Sequence, residues 1–222
     1  HLDGEMPPAF GSCAPGSACD CRAVGTVPAG IHWQGYDELR PGTGVLHLPM
    51  HRVELSRSHF LAYYEVTAAC YQWCRFEGAC RSPRWSPPSE ADFERTYRGL
   101  PRNYFRMAEY ADLPIFDVTL EGAREYCEWL GGRLPTDAEW EKAARGESGR
   151  AYPWSEDPPR PNQPGDLEGE FLDRCDYSHD PFLSGEAEAC PGVDALVIPV
   201  GSFPQGAGPY GHLDLLGNVA EW

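Results

Sequence analysis

Glycine and proline constrain this chain more than any other feature, with 24 Gly and 22 Pro among 222 residues. Proline removes a backbone donor and glycine favours turns, so long helices and wide sheets are excluded. Regular structure has to come in short pieces joined by long connections. A core can still form, because 7 Trp, 11 Tyr and 9 Phe are available to bury, and aromatic side chains bury a large area each. The length suits one large domain or two small ones, and it suffices for a core that does not depend on cross-links.

The net charge of -16 leaves no cationic surplus to release counterions from a phosphate backbone, so nucleic acid is excluded as a partner. An acidic surface fits solubility, cation binding or a basic partner. No apolar run approaches the roughly 20 residues of a membrane helix, so no transmembrane segment is expected. The chain starts at His1 without a signal-peptide core, as a processed protein or a fragment would. Nine cysteines point to an oxidising compartment, and the expected location is secreted, periplasmic or cell surface. Zinc is the weaker reading, because no pair of Cys-x-x-Cys clusters occurs and the histidines are scattered.

Residues 1–27 read as an irregular arm tied by disulfides, and residues 28–222 as the domain proper. Short strands are expected at Ile31 to Trp33, His51 to Leu55 and Phe60 to Val66, where β-branched and aromatic residues concentrate. Thr67 offers a cap for a helix from Ala68 to about Glu77, ended by Gly78. Cys70 and Cys74 lie on one face of that helix and can hardly bridge each other. Cys74 to Cys80 across the Gly78 turn is the better pairing, which leaves Cys70 to reach the N-terminal arm. Residues 81–113 read as a long surface loop with one short helix near Ser89 to Thr96.

Thr119 begins a second helix, to Leu130, with Leu120, Ala123, Cys127 and Leu130 on its inner face. Thr136 and Glu139 form a capping box for a third, Asp137 to Arg145, stopped by Gly146. Residues 147–210 show almost no periodicity, so something other than backbone ladders has to hold them, and Cys175 with Cys190 is expected to close a loop there. His32, His47, His51, His59, His179 and His212 share no spacing and are read as surface or satisfied core residues.

Several segments resemble the formylglycine-generating-enzyme (sulfatase-modifying-factor) family. They are Tyr64-Glu65-Val66-Thr67, the run from Arg124 to Gly146, Tyr152-Pro153-Trp154, Pro199-Val200-Gly201-Ser202, and Gly217-Asn218-Val219-Ala220-Glu221-Trp222, all in the family's order. The resemblance implies an α+β fold, a C-type-lectin-like variant that is loop-rich with two main helices and a small antiparallel sheet. It also implies that the chain corresponds to the N-terminal two-thirds of such a domain, with a C-terminal remainder to be expected.

The family often holds its loops with calcium. The resemblance assigns Asp214, Gly217, Val219 and Glu221 to one site and Asn162, Gln163, Asp194 and Leu196 to a second. Acidic side chains and carbonyls are the oxygen donors calcium prefers. The family's oxidases bind copper(I) through two thiolates, but that pair lies beyond Trp222 in the family pattern, so no catalytic residue can be assigned. Cys127 is expected to be the unpaired thiol of the chain, since in some members the matching cysteine bridges to the C-terminal segment. Ala220 replaces the Trp usual in catalytic members, and Ser155 replaces a Gly.

Fold alone does not choose a function. The expected function is that of a calcium-stabilised, disulfide-tied extracytoplasmic domain, non-catalytic, that binds a protein partner or belongs to a surface assembly. The alternatives are a copper-dependent formylglycine-generating oxidase acting on sulfatase cysteines, and a ligand-display scaffold with a variable C-terminal region.

Overall fold

The computed structural model describes residues 20–36, 49–83, 100–101, 103–155 and 197–222. The expected helix near Ser89 to Thr96 and the Cys175 and Cys190 pairing lie outside them.

The chain order is β1 (Val24–Val27), β2 (Gly30–Gln34), β3 (His51–Leu55), β4 (His59–Ala62), α1 (Ala68–Phe76), α2 (Leu120–Trp129) and α3 (Asp137–Arg145). Two antiparallel ribbons result, β1 with β4 and β2 with β3. The mixed α and β structure that was expected is present, and the three described α-helices lie where the sequence placed them. The last four residues of the expected irregular arm form β1, with Val27 fully buried. β4 stops at Ala62 although the aromatic run continues to Val66. Beyond Ala62 the backbone finds other partners: Leu213 donates to the Tyr63 carbonyl at 2.8 Å and Ile115 to that of Val66 at 2.7 Å.

All three helices start on threonine. The hydroxyls of Thr67, Thr119 and Thr136 accept from Cys70, Gly122 and Glu139 backbone N–H groups, which satisfies donors left free in a first turn. At α3 the Glu139 carboxylate returns the bond to the Thr136 N–H at 2.8 Å and also takes Arg133, whose hydrogen bonds hold its carboxyl down at about 2. Gly146 ends α3 at φ 71°, and a Cβ there would come within 2.9 Å of the Pro209 ring. Only glycine fits that turn.

Two small cores follow. In one, Tyr104 is fully buried among Ala68, Phe105, Leu113, Phe116 and Val197. Its hydroxyl donates to the Pro114 carbonyl at 2.8 Å and accepts from Phe116 N–H at 3.2 Å. Residues 104–113, expected on the surface, thus supply core aromatics whose polar atoms find partners inside. The other core groups Cys70, Tyr71, Cys74, Cys80 and Tyr126 around the disulfides Cys21–Cys70 and Cys74–Cys80. In α2 the buried residues are Gly122 and Tyr126. The expected inner face is only half-buried at Ala123, Cys127 and Leu130 and is exposed at Leu120, because Ala123, Cys127 and Leu130 face an open cleft.

α3 carries its charges inward, against β2. Lys142 is fully buried, and its ammonium donates to the carbonyls of Pro28 at 2.8 Å and Gly30 at 3.1 Å. Glu141 accepts from Gly35 N–H at 2.8 Å and is paired with Arg145. His32 is also fully buried, with neither ring nitrogen hydrogen-bonded. It is therefore not the satisfied core histidine the sequence suggested.

Burial, then the neighbouring Lys142, holds the His32 imidazole below its ordinary 6.5, with His51 and Arg145 adding to the effect and Glu141 opposing it. The folded protein therefore binds this proton less readily than the unfolded chain, and stability falls as pH drops below 6.5 toward the folded value. The slope for this single proton has an upper limit of about 1.4 kcal/mol per pH unit. Urea unfolding at pH 7.5 and 5.5 checks this: His32→Phe should lose less stability on acidification than wild type.

Candidate functional site

The Gly217 to Trp222 segment turns sharply at the surface, with positive φ at Gly217 (99°), Asn218 (64°) and, just before it, Asp214 (56°). Non-glycine residues adopt this conformation at a cost, and Asn and Asp do so most readily. Side-chain bonds hold the turn in place. Asn218 reads both polar groups of Ile198, accepting from its N–H at 3.1 Å and donating to its carbonyl at 3.1 Å. The same Asn218 amide donates to Glu65 at 2.7 Å, and Val219 N–H donates to the other Glu65 oxygen at 3.0 Å. Asp214 is buried and accepts from Gly201 N–H at 2.6 Å.

Three carboxyls of this region are raised, and the charge of Asp214 contributes to the rise at both Glu65 and Glu221. Glu65 is held well above the usual carboxylate range by burial first, then by Glu221 and Asp214, with its bonds to Val219 and Asn218 working against this. Asp214 is raised by burial. Glu221 is exposed as a residue, yet protein atoms crowd its carboxyl. Desolvation pushes it up to about 7, opposed by a hydrogen bond from Trp140 and assisted by Asp214. No Lys or Arg pairs with these acids among the described residues.

Asp214, Gly217, Val219 and Glu221, the four residues the resemblance grouped, all belong to this stretch of chain, and within it Asp214 acts electrostatically on Glu221. Crowded carboxyls without a cation suit an oxygen-ligated divalent ion, which would relieve their mutual repulsion. Among the described residues no three His, Cys, Asp or Glu side chains are already arranged around a metal position, so backbone carbonyls would have to complete a ligand set. Asn162, Gln163, Asp194 and Leu196 lie outside the described residues. Sequence reasoning missed Glu65 and Asn218 as members of this loop system, although both stood inside quoted motifs.

Beside this loop runs a cleft of about 480 Å³, whose walls include Phe60, Tyr64, Ile115, Cys127, Leu130 and Trp222. The signature segment 131–135 and residues Val219 to Glu221 line it as well. The volume lies in the range of ligand sites, and the polar groups at its edge are few. Trp222 is anchored by its indole N–H on the Val118 carbonyl at 2.7 Å.

Cys127 is the free cysteine among the described residues. Burial, and then Glu128, pushes its thiol up, so without a metal it stays protonated at neutral pH. The other four described cysteines are bonded to one another. The described residues therefore do not fit a two-thiolate copper(I) centre.

A family model described as the sulfatase-modifying factor enzyme 1-like domain matches residues 12–222. The chain is 38% identical over 139 residues to the inactive C-alpha-formylglycine-generating enzyme 2 of Bos taurus, covering 62% of the chain and 40% of that protein. It is 30% identical to the hercynine oxygenase of Mycolicibacterium smegmatis, covering 98% of the chain and 50% of that protein. It thus spans half or less of the length of these relatives. PvdO from Pseudomonas aeruginosa shares the fold, with a TM-score of 0.61 at 22% identity over 95% of the chain and 75% of that structure. The family match covers both the helical signature and the Gly217 to Trp222 loop, and the chain belongs to the sulfatase-modifying factor enzyme 1-like family.

Proposed function

We propose that this chain is an extracytoplasmic binding domain without formylglycine-generating activity, held by calcium and disulfides, whose cleft takes up a polypeptide segment. The observation that carries the reading is the cleft itself, an apolar trough built from the family's own signature segments. Its occupant is either further polypeptide of the same domain or a protein partner in a surface assembly. Ala220, in the cleft wall, supports a non-catalytic role, since it replaces the Trp of catalytic members. Similarity to a relative named as inactive supports the same reading. The two disulfides support an oxidising location. No helix among the described residues is long and apolar enough to cross a membrane.

In this reading Asp214 and Glu221 offer side-chain oxygens to calcium, and Gly217 and Val219 offer carbonyls. The ion would neutralise the crowded carboxyls and pin the loop that walls the cleft. Glu65, bonded to Asn218 and Val219, positions the loop from the other side.

Two measurements test the proposal. Incubating the protein with copper and a sulfatase-type cysteine peptide should leave the thiol mass unchanged, and conversion to formylglycine would overturn the non-catalytic reading. Thermal unfolding should shift upward with added calcium and downward with a chelator. At a calcium concentration a hundredfold above Kd the gain is about 2.7 kcal/mol. Asp214→Asn should lose most of that shift, and a transition indifferent to calcium would remove the metal from the proposal.

A further inference from the structure

The residue after α1, Glu77, is exposed, and its carboxylate is held in an unusual way. It accepts two hydrogen bonds, both from indoles: Trp73 Nε1 donates to one oxygen at 3.0 Å and Trp129 Nε1 to the other at 2.8 Å. The two rings meet edge to face with centroids 5.7 Å apart. No Lys or Arg pairs with Glu77 among the described residues. Arg75, its neighbour on the helix, spends its guanidinium on Gln72, Ser82 and the Phe105 ring. Arg81 is taken by Glu125.

An exposed glutamate ordinarily loses rotamer freedom when it forms an ion pair, which is one reason such pairs contribute little. Here two neutral donors have already fixed the side chain. Each oxygen has received one N–H and keeps capacity for another. A fixed carboxylate with one open acceptor position on each oxygen matches the planar fork of a guanidinium, which donates two parallel N–H bonds. Phe76, 67% exposed, sits three residues after Trp73, so the two are surface neighbours. Together they offer aromatic faces on which a guanidinium can stack. The chain as a whole carries -16 and attracts basic partners.

We propose that Trp73, Phe76, Glu77 and Trp129 form a receptor for an arginine side chain of a basic partner polypeptide. The double acceptor selects arginine over lysine, whose ammonium is a point charge without a fork. None of the four residues lines the cleft, so this surface stands apart from the function proposed above.

The test uses the full chain, titrated with acetyl-Gly-Arg-Gly-amide while the indole N–H signals are followed by NMR. The lysine and citrulline versions of the peptide serve as controls. The Trp73 and Trp129 signals should shift saturably with arginine, more weakly with lysine, and not with uncharged citrulline. Glu77→Gln should weaken binding about tenfold or more, as expected for loss of a charge-assisted bond, with the other indole signals in place as the check on folding. Trp129→Phe keeps an aromatic ring but frees one carboxylate oxygen, and should weaken binding as well. Absence of a saturable shift, equal affinity for citrulline, or full affinity in Glu77→Gln would each overturn the proposal.

Discussion

Replacing Arg145 with Met is expected to destabilise the protein by about 3–5 kcal/mol, the usual cost of removing one partner of a buried ion pair. The magnitude follows from what the guanidinium holds. It pairs with Glu141 and donates to the carbonyls of Gly35 at 2.9 Å, Gly149 at 2.8 Å and Arg150 at 2.6 Å, and it lies 4.2 Å from the centre of the Tyr36 ring. Both charged side chains are almost fully buried, 6% and 9% exposed. Without the arginine, Glu141 keeps only its bond to Gly35 N–H, and three carbonyls lose a donor inside the protein. Arg145→Lys should recover little, because an ammonium cannot reproduce a planar fork that serves four acceptors. The double change to Met at 141 and 145 should cost less than Arg145→Met alone, since it leaves no unpaired charge. Urea unfolding of the three variants measures this. A cost below about 1 kcal/mol for Arg145→Met would mean that the network does not hold β2 to α3. Total stabilities of about 5–15 kcal/mol make the expected loss a large fraction of the whole.

That network also marks where reading the sequence stopped. The starts of α2 and α3 were legible because their signals are local: a threonine cap, an apolar or capping-box pattern, and a glycine stop. Glu141, Lys142 and Arg145 sit in the same legible helix, yet nothing nearby in the chain says that they point inward. The partners that turn them inward are backbone groups of Pro28, Gly30 and Gly35, more than a hundred residues earlier, beside the local bonds of Arg145 to Gly149 and Arg150. A carbonyl leaves no trace in composition or periodicity. The same holds for Glu65, which reads as part of an entry motif but acts by bonding Asn218 across 153 residues. β1 was missed for a different reason: Gly25 interrupts its apolar pattern, and that glycine is needed because a Cβ would lie 2.7 Å from the Tyr63 ring. The face of α2 was read as inner from its apolar period, which cannot distinguish a core from a cleft.

Removing the Cys21–Cys70 disulfide is expected to cost about 4 kcal/mol, and removing Cys74–Cys80 about 2 kcal/mol, from the loop lengths they close in the unfolded chain. The sequence separations are 49 and 6 residues, so the first restricts far more of the unfolded ensemble. The first also joins segments that no hairpin connects. It ties the start of β1 to the buried face of α1, and Cys21, Arg22 and Val24 then enter the cleft wall. Alanine pairs at each position, compared by urea unfolding, should therefore differ in rank as well as size. Cys21→Ala/Cys70→Ala should also loosen the cleft, which faster amide exchange at β1 and β4 would report. Equal costs for the two pairs, or a larger cost for the short loop, would show that native contacts and not chain entropy set the stabilisation. Reduction acts on both disulfides at once and removes an amount comparable to the entire stability of many domains. With losses of that size, the described fold would be far less stable once both cystines are reduced.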